Sequence, residues 1–80
     1  MGKPMIFLNK MQLIGKNGDH YKRQMPFSAN GANAEEVKDF IYRKLSRSLY
    51  FLDFEIVGNM IEANYRIPPD VAARLPDRLR

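Results

Sequence analysis

The chain has no cysteine, no tryptophan and a single histidine. Without cysteine there is no disulfide framework, no thiol nucleophile and no thiolate metal site. One histidine excludes a multi-histidine metal centre and a histidine relay. The longest apolar runs, Met5 to Leu8 and Leu49 to Leu52, are far too short to span a bilayer. No glycine-rich phosphate loop, no metal-ligand spacing and no nucleophile with an adjacent base can be found. Neither catalysis nor a cofactor is therefore expected. Only four apolar residues follow Lys3 and Pro4, too few for a signal-peptide core, and Ile6 stands where a myristoylation signal needs Ser or Thr. A cytoplasmic protein without membrane contact is the expectation.

What is present is a folding composition. Eighty residues, 45% apolar and 28% charged, suit one small domain spanning residues 1–80. Thirteen Lys and Arg against nine Asp and Glu leave a net charge of +4. The charge is polarised along the chain. The first stretch carries Lys3, Lys10, Lys16, Lys22 and Arg23 against Asp19 alone; residues 50–67 carry Asp53, Glu55 and Glu62 against Arg66.

Met5 to Ile14 and Asp19 to Ser28 read as two strands around the turn signal Gly15-Lys16-Asn17-Gly18. Pro26 has no N–H to give a ladder, which places its strand at an edge or ends its pairing there. Two registers are open. A two-residue Asn17-Gly18 loop pairs Ile14 with Tyr21 and Lys10 with Met25. A three-residue loop with Gly18 in a bulge pairs Leu13 with Tyr21, Met11 with Arg23, Asn9 with Met25 and Phe7 with Phe27. The second register gathers one mostly apolar face and is the expected one. It leaves Lys10, Gln12, Lys22 and Gln24 on the other face, with Ile6, Leu8, Ile14 and His20 around them.

Asn33, followed three residues later by Glu36, marks the start of a helix from about Ala34 to Ser48. Val37, Phe40, Ile41 and Leu45 share one of its faces. Glu35 and Glu36 at its start and Arg43, Lys44 and Arg47 at its end complement the helix dipole. Next, Tyr50, Leu52, Phe54 and Ile56 alternate with Phe51, Asp53, Glu55 and Val57. A Gly58-Asn59 turn leads into a last strand with Ile61, Ala63, Tyr65 and Ile67 facing the core. Asp70 caps a short helix over Val71 to Leu75, and residues 77–80 fray. The expected fold is α+β: two hairpins in ββαββ order form a four-stranded antiparallel sheet under one main helix, with a short C-terminal helical turn.

Two surfaces stand out as candidates. Lys10, Gln12, Lys16, Lys22, Arg23 and Gln24 on the first hairpin, joined by Arg43, Lys44 and Arg47, suit an anionic partner, since lysines meet phosphate oxygens and a two-stranded ribbon fits a major groove. Asp53, Glu55 and Glu62, with Phe51, form an acidic patch. In the second hairpin Glu55 falls opposite Glu62 and Asp53 opposite Asn64, and like charges so placed need a counterpart: solvent, Arg66 beside Asp53, a cation or a basic partner. His20, just past the first turn, has no nucleophile placed near it. Opposite patches also permit self-association, Lys10 and Lys22 of one copy against Glu55 and Glu62 of the next.

Asn64-Tyr-Arg-Ile-Pro-Pro-Asp-Val-Ala-Ala-Arg-Leu75 resembles the strand-to-first-helix junction of ribbon-helix-helix DNA-binding repressors. That resemblance implies a dimer inserting Glu62, Asn64 and Arg66 into a major groove. It covers about a sixth of the chain. Pro76 interrupts the helix, no second helix follows and Glu62 would face DNA, so the family is not assigned. The leading functional expectation is a non-catalytic protein whose basic hairpin and helix end grip nucleic acid or a nucleoprotein complex. The alternative is a protein-binding inhibitor or regulator, such as phages and other mobile elements encode, acting by surface contact.

Overall fold

A computed structural model describes residues 5–80; Lys3 of the basic cluster lies outside them. The chain runs β1 (Met5–Leu8), β2 (Gln12–Asn17), β3 (His20–Asn30), α1 (Ala34–Leu45), β4 (Phe51–Val57), β5 (Met60–Arg66) and α2 (Pro69–Ala72), then a 3₁₀ turn over Asp77–Leu79. The fold is α+β with an antiparallel sheet and one main helix. The sheet has five strands, not four, in the order β1-β3-β5-β4, with β2 also on β3. The expected first strand is divided: β1 lies along the far half of β3 and β2 along the half nearer the turn.

The division has a cause in the sequence. The first turn is Gly18-Asp19, with Asn17 opposite His20 and Gly18 at a φ of +63°. Glycine takes that conformation without strain at the first central position of a tight hairpin turn. Neither expected register holds. Ile14 is an extra residue between Leu13, opposite Arg23, and Gly15, opposite Lys22. A second extra residue falls within Asn9–Met11, after which Leu8 meets Phe27, as a two-residue Asn17-Gly18 loop would have set it. At that break the Asn9 N–H donates to the Pro26 carbonyl at 2.9 Å. A residue in a strand points its N–H and C=O to the same side, so the donor Pro26 lacks would face this break. Pro26 therefore sits in a central strand and not at an edge.

The break also reverses parity. Ile6 and Leu8 turn to the same side as Met11 and Leu13, and all four pack on the core, while Met5, Phe7 and Ile14 are exposed. Phe7 was expected on the core face and lies outside it.

One face of the sheet carries Tyr21, Met25, Ile61, Ala63 and Tyr65, and α1 covers it with Val37, Ile41 and Leu45. Asn33 caps α1: its side-chain oxygen accepts from the Glu36 N–H at 2.9 Å. The helix ends at Leu45, three residues before the expected Ser48, with the Ser46 N–H donating to the Tyr42 carbonyl. The C-terminal helix starts two residues early and ends at Ala72 rather than Leu75; it follows Pro68, with Pro69 in its first turn rather than Asp70 as its cap. Residues 77–80, expected to fray, form the 3₁₀ turn. Arg80 pairs with Asp77 and donates to the Ala73 carbonyl at 3.2 Å, and the turn packs beside β2.

Arg23 is a core residue. It is 8% exposed, stands opposite Ala63 and projects under the helix, with its guanidinium 4.7 Å from the Tyr65 ring centroid. One guanidinium nitrogen reaches the Met11 sulfur at 3.7 Å; Nε and the other have no hydrogen-bond partner. A cation–π contact offsets part of the desolvation, but no carboxylate does. Burial lowers the guanidinium pKa and raises that of the Tyr65 phenol.

Two predictions test this core. Arg23→Met keeps the packing volume and removes the buried charge, so it should raise unfolding stability by about 1 kcal/mol, while Arg23→Ala should lower it by about 2 kcal/mol through the cavity it leaves. Denaturant titration gives both values. Because the fold raises the Tyr65 pKa, its contribution is intact below the ordinary phenol value of about 10 and is lost at higher pH, where the unfolded chain ionises more readily. Arg23, with its pKa lowered, acts in the opposite sense. Tyr65→Phe should therefore retain more of its neutral-pH stability than the wild type when both are melted near pH 11, above that phenol value.

Candidate functional site

The sheet face that α1 leaves uncovered carries the alternate residues of every strand. Gln12 lies opposite Gln24 on β2 and β3, Lys22 opposite Asn64 and Gln24 opposite Glu62 on β3 and β5, and Asp53 and Glu55 opposite Asn64 and Glu62 on β4 and β5. The facing of Glu55 with Glu62 and of Asp53 with Asn64, expected from the Gly58-Asn59 turn, is present. The two hairpins meet through β3 and β5, so the basic and acidic stretches lie side by side on one surface.

Their charges interlock there. Lys22 Nζ stands 3.7 Å from Glu62 Oε1, which supplies the counterpart that the facing glutamates require. The Asn64 amide donates to Asp53 at 2.6 Å. Arg66, one of the open counterparts for the acidic patch, pairs instead with Asp19 at 3.8 Å, across β5 and the first turn. Both partners are exposed, so this last pair contributes little. Glu55 has no cation within ion-pairing distance among the described residues.

The expected basic cluster is not assembled. Lys22, Gln12 and Gln24 share the open face, and Lys10 is exposed at the break between β1 and β2. Lys16 lies on the other side of the sheet, 5.2 Å from the Tyr21 ring centroid. Arg23 is buried beneath the helix and unavailable to any phosphate. Arg43 is paired with Asp39 one turn away, and Lys44 lies 5.5 Å over the Phe40 ring. These two belong to the helix layer, with Arg47 just past its end, so the helix end does not extend the hairpin's open face.

The acidic patch is also altered at one position. An extra residue between Asp53 and Phe51 turns Phe51 inward opposite Tyr65, away from Asp53 and Glu55. Its ring meets those of Tyr42, Phe54 and Tyr65 at centroid distances of 6.1, 6.3 and 5.9 Å. Leu52, expected inside, is 51% exposed instead. β5, the strand of the ribbon-helix-helix resemblance, lies inside the sheet between β3 and β4, so both its edges are taken.

Sequence reasoning missed part of the exposed apolar surface around this face. Ile14 and Val57 are exposed, as their expected faces implied, but Met5 and Phe7 on β1 and Leu52 in β4 are exposed as well. Periodicity did not place these three because each lies at or beyond a one-residue irregularity. Among the described residues no group of His, Asp and Glu is placed to hold a metal ion, and no helix is long and apolar enough to cross a membrane. No protein-family model, curated protein or solved structure matches the chain.

The facing glutamates give a direct test. Glu55→Gln removes the like-charge opposition and should raise stability by about 0.5 kcal/mol. Lys22→Gln, which strips Glu62 of its cation, should lower stability by a similar amount, about 0.5 kcal/mol. Thermal melts at low and high salt should show both effects shrinking as salt rises.

Proposed function

We propose that this chain is a non-catalytic protein-binding module that works by surface contact through the open sheet face. The Lys22–Glu62 ion pair carries this reading. A groove that tracks a nucleic-acid backbone needs a row of cations free to displace counterions. On this face the central lysine is engaged by a carboxylate, and two further carboxylates, Asp53 and Glu55, lie beyond it. Interleaved charges of both signs, framed by exposed apolar side chains, suit a protein surface of complementary pattern. A regulator or inhibitor acting by contact alone fits such a face.

One observation favours nucleic acid as a second reading. Gly15, Asn17, His20, Lys22 and Asn64 line a shallow depression of about 270 Å³ beside the first turn, into which a phosphate could bring its charge near Lys22.

A photo-crosslinking side chain at Gln24, in the middle of the open face, and another at Lys38, on the exposed side of the helix, separate the readings. In host cells Gln24 should capture a discrete protein band and Lys38 should not. If nucleic acid co-purifies instead, with affinity that falls steeply with salt and is lost in a Lys10→Glu, Lys22→Glu variant, the protein-binding reading is wrong.

A further inference from the structure

The outermost strand on one side of the sheet, β4, has nothing paired to its free edge among the described residues. At the opposite side the C-terminal 3₁₀ turn packs beside β2. In the β4–β5 hairpin, Val57 and Met60 flank a two-residue turn, so Val57, Glu55 and Asp53 direct their backbone groups to β5. Phe54 and Ile56 consequently point theirs outward. Their side chains are half-buried on the helix side, while Asp53 and Glu55 stand exposed on the open side. Leu49 at 92% exposure, Leu52 at 51%, Val57 at 48% and Tyr42 at 56% surround this edge with apolar surface.

We infer that β4 is a docking edge for an extended segment of a partner protein in which basic and apolar residues alternate. The segment adds a sixth strand along Asp53–Val57. Its backbone bonds to the outward N–H and C=O groups of Phe54 and Ile56, and its apolar side chains extend the layer of Phe54 and Ile56. Its Lys or Arg side chains lie beside Asp53 and Glu55, and Glu55 thereby gains the cation that the fold does not supply. A second copy of this chain fits poorly. The two-fold pairing that uses all five residues sets Glu55 against its own copy. The inference rests on the protein-binding reading and names the chemistry of the partner.

The test is an NMR titration of the whole chain with two synthetic peptides of about six residues, the usual strand length, one alternating lysine with valine and one glutamate with valine. The lysine peptide should give saturable shifts of the Phe54 and Ile56 amides; the glutamate peptide should give none. Asp53→Lys with Glu55→Lys should weaken the lysine peptide about tenfold and admit the glutamate peptide, since both facing pairs change sign. Ile56→Pro removes an outward N–H without touching the β5 ladder and should abolish binding of either peptide. Equal binding of the two peptides, no saturable shift at Phe54 and Ile56, or full binding by a folded Ile56→Pro variant would overturn the assignment. Failure here with the Gln24 crosslink intact rejects the edge alone, whereas absence of that crosslink rejects the protein-binding reading itself.

Discussion

The ladder between β3 and β5 is the contact on which the rest of the molecule depends. It runs from His20 opposite Arg66 to Pro26 opposite Met60 and is the principal seam joining the two hairpins. Without it, neither hairpin has a floor wide enough for the helix. On the covered side it pairs Tyr21 with Tyr65, Arg23 with Ala63 and Met25 with Ile61, and Val37, Ile41 and Leu45 seat on that surface. The alternation of large and small residues matters. Ala63, opposite Arg23, leaves room for the guanidinium to reach over the Tyr65 ring. The pairing is distant in sequence, so its loop-closure entropy must be met by this burial.

The same ladder decides the electrostatics of the uncovered side. Because β3 and β5 are neighbours, Lys22 and Gln24 are set beside Asn64 and Glu62. A chain whose sequence separates cations from acids thus folds into a face on which Lys22 lies within ion-pairing distance of Glu62, with Asp53 and Glu55 on the next strand. The net charge of +4 is real, but no continuous basic stripe results among the described residues. Part of the excess is scattered over the helix layer, and one cation is buried. This distribution of charge is the ground on which protein contact is proposed here ahead of nucleic acid.

How much of this was legible depended on how local the determining interaction was. The second hairpin could be read from Asp53 onward because Gly58-Asn59 sets its register and the alternation from Asp53 to Val57 is unbroken; Phe51 and Leu52, at the extra residue, could not. The helix was legible from its Asn33 cap and its Val37, Ile41 and Leu45 face. The first hairpin was misread because its first strand holds two extra residues, and each one exchanges the faces of everything beyond it. Pro26 was the local clue to the break, but it could be used only once the break's position was known. Arg23 presented a conflict between two signals: its parity placed it with Tyr21 and Met25, and its charge placed it in solvent. Parity prevailed because the strand's core register moves as a unit, and one desolvated guanidinium over an aromatic ring is cheaper than turning three core residues outward. The association of the hairpins left no local trace, so the Lys22–Glu62 pair and the open edge of β4 could not be read at all.

The two sides of the sheet manage their edges differently. Beside β2 the C-terminal 3₁₀ turn is packed, and between β1 and β2 the ladder is interrupted at Asn9–Met11, so no long regular edge is offered there. The β4 edge is regular from Asp53 to Val57 and bordered by apolar side chains, features that favour uncontrolled strand addition. Asp53 and Glu55 are what restrain it. Carboxylates at alternate positions of an edge strand oppose its pairing with copies of itself, because the copies bring the same charges to the same places. They impose no such penalty on a strand of opposite charge. In the proposed docking, the two carboxylates that oppose pairing with a second molecule of the chain are also the ones that select a strand of opposite charge.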